Sequence, residues 1–346
     1  MASLHGLGVF DRPPEALRGL YKKYQKLKGL ALDEDVEILD PAHGLTGDQK
    51  QKVNVSRWQD QKDLMKASSA FADLCATVSQ QCGDEVCNLV YEYEDMPGLF
   101  LIPSLLSPQV QTSLLSCVMH RDLSNSAHKT NLHMHYDLPY PARGDSFFTY
   151  APSAEAAFTP RDAIQHNALS ISQALNKKLR WITLGGQYDW TEKRYPAESP
   201  PQFPSDIATL LQRLFPRIVP EAAIVNFYSP GDTLSLHRDV SEESDKGLVS
   251  LSIGCEAIFV AGQESIHEND GVKSIVVRLR SGDAIFMADT SRFAWHGIPQ
   301  IIPNTCPSWL ENWPATEYCG TTPNYEQWKG WMRTKRVNFN VRQMWS

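Results

Sequence analysis

The residues best suited to chemistry lie in one stretch, Asn226 to Asp239, which ends in His237-Arg238-Asp239. Because successive side chains of a strand point to opposite faces, His237 and Asp239 project in the same direction. A His-x-Asp pair needs one more histidine to complete a 2-His-1-carboxylate iron site, which leaves positions on the metal open. On its own the pair is weak evidence, because a chance surface pair is more common than a pair of ligands.

A third candidate ligand, His296, follows the turn at Ser281–Asp283 and an apolar strand predicted over Ala284–Met287. It lies 57 residues after Asp239 (296 − 239), at the predicted start of another strand. A single histidine beside Trp295 is more often a packed and hydrogen-bonded side chain. His296 therefore supports a metal site only in combination with the pair at positions 237 and 239.

The last predicted strand has one polar and one apolar face. The polar face carries Arg336, Asn338, Asn340 and Arg342, and the apolar face carries Val337, Phe339 and Val341. Two arginines and two amides are costly to bury unless an anion satisfies them. A small dicarboxylate would do so, because guanidinium binds carboxylate through two parallel hydrogen bonds. The alternative is the solvent-facing side of an edge strand.

Taken in chain order, these signals match one family. The strings NFYSPGDTLSLHRD, SLSIG, AIF, SGDAIFM, WHGIP and RVNFNVR resemble the AlkB-like dioxygenases, which oxidatively remove alkyl groups from nucleic-acid bases. LRWITLGGQYDW, SRFAWHGIPQIIPN and EQWKGWMRTKRVNFNVRQ are most similar to the branch of the first human AlkB homologue and its fungal relatives. The resemblance covers residues 96–346, and the Arg-x-Asn-x-x-x-Arg pattern is specific to AlkB-like enzymes among 2-oxoglutarate oxygenases.

The resemblance implies that His237, Asp239 and His296 hold Fe(II), and that 2-oxoglutarate is the cosubstrate. The residues that it places around 2-oxoglutarate are Asn226, Tyr228, Leu234, Ser250, Arg336, Asn338 and Arg342. Among these, Arg336 resembles the arginine that pairs with the distal carboxylate of the cosubstrate.

Three aromatic residues, Trp181, Tyr188 and Trp190, fall where the family stacks or frames the substrate base. Ordinary core packing is the alternative for all three. One departure from the family is Ser241, which stands where the bacterial enzyme has an acid near its substrate base. The bacterial preference for particular methylated bases therefore does not transfer directly.

The implied activity is demethylation of alkylated bases in DNA or tRNA, with release of formaldehyde, succinate and carbon dioxide. One alternative is a 2-oxoglutarate oxygenase that acts on a protein such as a histone. Another is cleavage of abasic DNA by a lyase, for which the sequence offers no identifiable lysine nucleophile.

The formal net charge of −7 gives the whole molecule no positive footprint of the kind that bulk nucleic-acid binders show. Binding to nucleic acid would therefore use a local patch. The candidate is Arg18–Lys28, where Lys22, Lys23, Lys26 and Lys28 cluster on a stretch that suits a helix. The alternative for this stretch is a solvated helix face.

The elements that must position these residues are mostly short strands. The predicted strands are Trp181–Leu184, Ala223–Phe227, Leu234–His237, Leu248–Ile253, Ala257–Val260, Lys273–Leu279, Ala284–Met287 and Arg336–Val341. A helix is predicted over Ser205–Leu214, and another begins at Pro108 after the N-cap residue Ser107. Many short strands with few helices predict a mainly β (α+β) fold with flanking helices and a double-stranded β-helix, or jelly-roll, core.

The chain is predicted to divide into an N-terminal helical extension with a linker (residues 1–95) and an AlkB-like dioxygenase domain (residues 96–346). In the extension, the apolar spacing predicts helices over Pro14–Leu30 and Leu64–Gln81, separated over Asp33–Asp63 by a polar linker or a meandering arm. His120–Thr159 has no clear periodicity. Its histidines, His128, His133 and His135, are predicted to be ordinary polar residues, with metal binding as the less favoured alternative.

The seven cysteines are irregularly spaced, which predicts reduced thiols in the nucleus or cytoplasm, with the mitochondrion as the alternative. Cys82 and Cys87 lack the second Cys/His pair that a structural zinc site needs. No run of about 18 apolar residues occurs, so no association with a membrane is expected. The protein is expected to be a monomer.

Overall fold

The computed structural model describes residues 7–8, 10–74, 88–142, 144–196, 199–265, 271–316 and 325–345. Cys82 and Cys87 lie outside these residues. The α-helices are α1 (Glu15–Lys26), α2 (Leu30–Asp33), α3 (Gly47–Lys52), α4 (Gln61–Leu74), α5 (Pro108–Ser116), α6 (Ile171–Gln173) and α7 (Ser205–Leu214). Among these helices, none combines the length and the apolar character needed to cross a bilayer.

The strands are numbered separately, also in chain order. They are β1 (Ile38–Leu39), β2 (Val53–Arg57), β3 (Leu89–Tyr93), β4 (Leu99–Ile102), β5 (Tyr136–Asp137), β6 (Ala157–Pro160), β7 (Leu169–Ser170), β8 (Trp181–Gly185), β9 (Ala222–Tyr228), β10 (Leu234–His237), β11 (Leu248–Gly254), β12 (Ala257–Glu264), β13 (Val272–Leu279), β14 (Ala284–Met287), β15 (Trp295–Ile301) and β16 (Arg336–Arg342).

Two large sheets form the centre of the molecule. The larger sheet has the strand order β2-β3-β4-β14-β11-β16-β9-β8, and the smaller has the order β1-β13-β12-β15-β10. A separate small sheet contains β5, β6 and β7. Inward-facing side chains of both large sheets share one apolar core, to which Val337 and Phe339 of the larger sheet and Phe259 of the smaller sheet belong. This arrangement confirms the predicted jelly-roll core with flanking helices.

Several predicted elements lie where the sequence places them. The bounds of β10, β14 and α7 agree residue for residue with the prediction, and α5 begins at Pro108. The Ser107 Oγ accepts a hydrogen bond from the Val110 amide at 3.4 Å, as an N-cap residue does. The last strand, β16, lies between β11 and β9 inside the larger sheet, so the edge-strand alternative is wrong.

The N-terminal residues contribute directly to both sheets. Of the two alternatives for Asp33–Asp63, the linker is wrong, because β1 pairs in parallel with β13 and β2 pairs with β3. The apolar pattern of a strand is not recognisable in either segment, because β1 has only two residues and Val53 is the only buried residue of β2. Helix α1 packs on the outer face of the smaller sheet, where Leu17 and Tyr24 contact an apolar cluster that includes Trp295. The division of the chain at residue 96 stays a prediction.

The segment from residue 120 to 159 folds around buried aromatic rings, including Phe147 and Phe148. Its histidines have separate surroundings. The His133 ring lies with its Nε2 atom 2.6 Å from the Tyr140 hydroxyl. The His135 ring contacts the His166 ring at a tilt of 46°, with 4.4 Å between the ring centroids. Burial lowers the pKa of His128 to about 4. Within the described residues these three histidines do not form a metal-binding group with one another.

Candidate metal centre and cosubstrate pocket

Two strands of the smaller sheet bring the predicted metal ligands together. His237 ends β10 and lies directly opposite His296 of β15 in the antiparallel register. Their ring centroids are 4.3 Å apart. Asp239 follows two residues later, and its Oδ2 atom lies 3.6 Å from the His296 Nε2 atom. The three candidate ligand atoms all lie within 4.8 Å of one another, a separation that one metal ion can bridge.

Backbone carbonyls orient both imidazole rings. The His237 Nδ1 atom lies 3.0 Å from the Ser235 carbonyl oxygen, and the His296 Nδ1 atom lies 3.1 Å from the Ala294 carbonyl oxygen. A carbonyl only accepts, so each Nδ1 donates, and each Nε2 is the ring nitrogen left available to a metal. Burial lowers the pKa of His296 to about 4, which keeps this ring neutral near pH 7, as a ligand must be.

Asp239 is held as a carboxylate. Burial alone would raise its pKa, but neighbouring positive charge, foremost that of Arg342, holds the pKa of Asp239 well below its usual range. Its Oδ1 atom accepts a hydrogen bond from the Arg342 guanidinium at 2.9 Å. The Oδ2 atom is buried and has no hydrogen-bond partner among the described residues. An unpaired buried carboxylate oxygen facing two imidazole rings fits Fe(II).

A buried ion network supports this ligand, and no sequence pattern had indicated it. Arg292 donates from Nη1 to the Asp239 carbonyl oxygen at 3.0 Å and from Nη2 to the Glu242 carboxylate at 3.2 Å. The other Glu242 oxygen lies 2.9 Å from the Arg342 Nε atom. Because these charges lie 50 residues or more apart in the chain, no local pattern predicts their pairing.

The predicted cosubstrate pocket forms where β16 crosses the larger sheet. The β9–β16 register places Arg336 opposite Tyr228 and Asn338 opposite Asn226. Arg336 is completely buried, and its Nη2 atom donates to the Ser252 hydroxyl at 2.9 Å. Its Nε and Nη1 atoms have no hydrogen-bond partner in the part of the chain that the structure describes.

The surroundings of Arg336 fit a dicarboxylate. The Tyr228 hydroxyl is also buried without a described partner, and its ring centroid lies 5.8 Å from the Arg336 Cζ atom. Burial raises the pKa of Tyr228 to about 12, so this hydroxyl is a donor at neutral pH. One carboxylate group could satisfy the free guanidinium nitrogens and the phenol together, which is what the distal carboxylate of 2-oxoglutarate offers.

Two further predicted residues of this pocket contact each other. Asn338 donates from Nδ2 to the Ser250 hydroxyl and to the Leu251 carbonyl oxygen, each at 2.8 Å. Ser250 and Asn338 are both buried. The small serine therefore leaves room for the amide and fixes its orientation. Leu234 lies at the start of β10, on the side of the pocket next to the metal ligands.

A cavity of 260 Å³ opens beside the candidate metal ligands. Its lining includes the ligands His237 and Asp239, the pocket residues Asn226, Leu234 and Arg342, and the aromatic residues Tyr188, Trp190 and Tyr195. Trp181 reaches this group through Trp190, with 5.4 Å between the ring centroids. Because Trp190 is 41% exposed, core packing does not account for it. Tyr195 was not predicted, although its hydroxyl is buried without a described partner.

The departure at Ser241 leaves the cavity without a free acid at that position. Ser241 lines the cavity, and its hydroxyl donates to the Lys193 carbonyl oxygen at 3.2 Å. The next residue, Glu242, also lines the cavity, but Arg292 and Arg342 occupy its carboxylate. Glu242 therefore does not replace the acid of the bacterial enzyme.

Comparison with known proteins agrees with this geometry. A family model described as the 2OG-Fe(II) oxygenase superfamily matches residues 145–342. The chain is 48% identical over 364 residues to the N6-methyladenosine RNA demethylase of Pyricularia oryzae, with 99% of both chains covered. It is 39% identical over 268 residues to the tRNA demethylase of Schizosaccharomyces pombe, which covers 75% of this chain and 83% of that protein.

A more distant relative is the nucleic acid dioxygenase of Homo sapiens, 32% identical over 193 residues, with 50% of this chain and 48% of that protein covered. The cluster of His237, Asp239 and His296, the pocket around Arg336 and these matches all point to the same family. The chain is therefore an Fe(II)- and 2-oxoglutarate-dependent dioxygenase and belongs to the AlkB-like family, near the branch of the first human AlkB homologue and its fungal relatives.

Proposed function

We propose that this dioxygenase demethylates a base of nucleic acid, and that N6-methyladenine in RNA is its foremost substrate. The observation that carries the proposal is the shared cavity, in which Tyr188 and Trp190 lie beside His237 and Asp239. Aromatic faces suit a base that has left its stack, because every base offers a π-face. The name of the Pyricularia relative, which spans nearly the whole chain, supports the choice of base.

The chemistry divides between the bound groups and the chain. Bound Fe(II), 2-oxoglutarate and dioxygen supply the oxidation, in which one oxygen atom enters the methyl carbon and the other enters succinate, with loss of carbon dioxide. The chain would fix the geometry: Arg336 would hold the distal carboxylate of 2-oxoglutarate through its unpartnered nitrogens, and Arg342 orients the Asp239 carboxylate. The hydroxymethyl group then leaves the base nitrogen as formaldehyde, and the nitrogen regains a proton.

The two alternative activities lack comparable support. For the lyase, a lysine of low pKa would have to reach the substrate. Burial lowers the pKa of Lys335 to about 8, but its Nζ atom donates to the Ser229 hydroxyl at 2.9 Å, and Lys335 does not line the cavity. For a protein substrate, no described residue of the cavity is specific for a peptide. A methylated peptide is therefore included among the substrates of the test.

The test is a substrate panel with Fe(II) and 2-oxoglutarate, followed by mass spectrometry. It contains RNA and DNA oligonucleotides with N6-methyladenine, 1-methyladenine or 3-methylcytosine, a methylated tRNA, and a methylated histone peptide. We expect loss of methyl and release of formaldehyde from a nucleic acid, with the N6-methyladenine RNA fastest. Demethylation of the peptide alone would overturn the proposal.

The cellular setting is also a proposal. We infer that the enzyme works as a monomer in the cytoplasm or nucleus, on RNA, including tRNA, or in the repair of DNA. The described cysteines Cys117, Cys255 and Cys306 are buried and form no disulfide, which suits a reducing compartment. Size-exclusion chromatography with light scattering and cell fractionation would test the two parts separately.

A further inference from the structure

Two cations line the cavity without taking part in the ligand set or the cosubstrate pocket. Lys193 belongs to the loop that also carries Tyr188 and Trp190, and Arg238 stands between His237 and Asp239 in the sequence. Neither was predicted as a site residue. Together they place positive charge beside the position proposed for the substrate base.

Arg238 is a largely buried cation with few partners. Its side chain is 14% exposed, and the Cζ atom lies 4.5 Å from the centroid of the Trp295 ring. The Nε atom is buried and has no hydrogen-bond partner in the described part of the chain. Its ion pair is with Asp11, at 3.7 Å between Nη1 and Oδ2, which is too long for a hydrogen bond. A guanidinium in this state has unused capacity for an anion.

Lys193 is fixed in an unusual backbone conformation. Its φ of +52° lies in the left-handed region, which residues other than glycine rarely adopt. The Ser241 hydroxyl holds its carbonyl oxygen at 3.2 Å, so the strained residue is tied to the cavity wall. Its Nζ atom lies 4.0 Å from the centroid of the Phe10 ring, and that ring is 78% exposed. Strained positions of this kind cluster at binding sites.

Two adjacent N-terminal residues contact these cations. Phe10 lies under Lys193, and the next residue, Asp11, pairs with Arg238. An aromatic ring followed by a carboxylate presents a π-face next to a negative charge, as a base next to a phosphate does. Since Asp11 has 45% of its side chain exposed, a stronger anion could displace it.

We propose that Lys193 and Arg238 bind the backbone phosphate next to the substrate base, and that Asp11 occupies this position until a strand binds. The inference rests on the proposed nucleic-acid function. A protein of net charge −7 needs local cations for a polyanion. The basic helix α1 is partly neutralised, because Lys23 pairs with Asp35 at 2.9 Å and with Glu37 at 2.7 Å.

The test measures binding of a fluorescein-labelled single-stranded RNA that carries N6-methyladenine, by anisotropy, with Mn(II) and 2-oxoglutarate present. Removing one cation that pairs with a phosphate should lower the slope of log K against log salt by about 0.7 between roughly 50 and 200 mM salt. Arg238→Gln and Lys193→Gln should each weaken binding by about tenfold and lower this slope. Arg238→Lys should keep most of the slope, because it keeps the charge.

Asp11→Asn should act in the opposite direction and tighten binding by about two- to fivefold, because it removes the competing carboxylate. Lys66→Gln is the matched control, since Lys66 is exposed on α4 and pairs only with Asp63 at 3.6 Å among the described residues. It should change neither the Kd nor the slope.

The inference is overturned if Arg238→Gln and Lys193→Gln bind with the wild-type Kd and slope, or if Asp11→Asn binds more weakly. A different result would contradict the proposed function: the wild-type protein would bind this RNA but release no formaldehyde from it. A wild-type protein that does not bind the RNA at all would overturn both.

Discussion

Two buried arginines of β16 have different partners and hence different roles. Arg342 is paired with Asp239 and lies against Glu242, so its charge is compensated within the protein. Both arginines keep two nitrogens without a described hydrogen-bond partner, but among the described residues no carboxylate forms an ion pair with Arg336, and burial lowers its pKa to about 10. A cation that the fold leaves unsatisfied is the one that a ligand completes. Arg336 is therefore expected to contribute to cosubstrate affinity, and Arg342 to the geometry of the metal site.

Arg336→Lys is expected to weaken 2-oxoglutarate binding by roughly 10- to 100-fold, since an ammonium cannot reproduce the two-pronged contact. Mn(II) affinity should change little. Titration of each ligand into the protein by calorimetry measures both. Arg333→Lys, at an exposed arginine that pairs with Glu311 at 3.2 Å, is the control. Equal 2-oxoglutarate affinity in Arg336→Lys and wild type would contradict the assignment.

Glu242→Gln is expected to lower stability by about 3 kcal/mol, because it leaves Arg292 and Arg342 buried beside a neutral group. Mn(II) binding should weaken as well, since Arg292 also holds the Asp239 backbone. Urea unfolding and Mn(II) electron paramagnetic resonance check the two effects. The neighbouring exposed acid supplies the control, Glu243→Gln, which should behave as wild type. A Glu242→Gln protein of wild-type stability would show that the ion pairs of Glu242 with Arg292 and Arg342 do not stabilise the fold.

At the scale of elements, helix α1 supports the strands that carry the metal ligands. The Tyr21 hydroxyl lies 3.0 Å from the Leu234 carbonyl oxygen of β10 and 3.3 Å from the Ile298 carbonyl oxygen of β15. It therefore spans the pair of strands that hold His237 and His296. The N-terminal residues thus act on the site through the smaller sheet.

Tyr21→Phe is expected to cost about 1–2 kcal/mol of stability and to weaken 2-oxoglutarate binding, because Leu234 is no longer anchored. Tyr150→Phe removes a comparable hydroxyl, 3.3 Å from the Pro139 carbonyl oxygen and in another part of the fold. It should reduce stability without reducing affinity. Urea unfolding combined with calorimetric titration distinguishes the two variants. An unchanged 2-oxoglutarate affinity in Tyr21→Phe would show that α1 packs on the smaller sheet without affecting the cosubstrate pocket.

The elements differ in how far the sequence predicts them. Strands β10 and β14 and helix α7 have clear apolar periods and turn signals, so their bounds follow from local pattern. Strands β1 and β2 do not, because they exist through pairing with β13 and β3, which no local window contains. The grouping of His237, Asp239 and His296 was predictable because their order in the chain is specific. The contacts of Arg292, Lys193 and Arg238 were not, because they join segments that are distant in sequence.

At the scale of the whole molecule, buried histidines make stability depend on pH. Burial, and after it the charge of Arg121, lowers the pKa of His128 to about 4, against an ordinary value of about 6.5. Between these two values the unfolded chain binds a proton that the folded protein does not. Stability is therefore fully present above about pH 6.5 and decreases as the pH falls toward 4.

From this histidine alone, the free energy of unfolding is expected to fall by about 2 kcal/mol between roughly pH 7.5 and pH 5. His128→Leu should have a shallower dependence over the same range, because it removes the titrating group. Urea unfolding of both proteins at a series of pH values measures the difference. Parallel stability curves would show that His128 does not contribute.

The central claim is that His237, Asp239 and His296 hold the iron that oxidises the methyl group of a nucleic-acid base. The most direct measurement counts formaldehyde and methyl loss from an N6-methyladenine RNA with wild type and Asp239→Ala, both supplied with Fe(II) and 2-oxoglutarate. We predict one formaldehyde for each methyl removed by wild type, and neither product with Asp239→Ala. Equal methyl loss by the two proteins would contradict the claim.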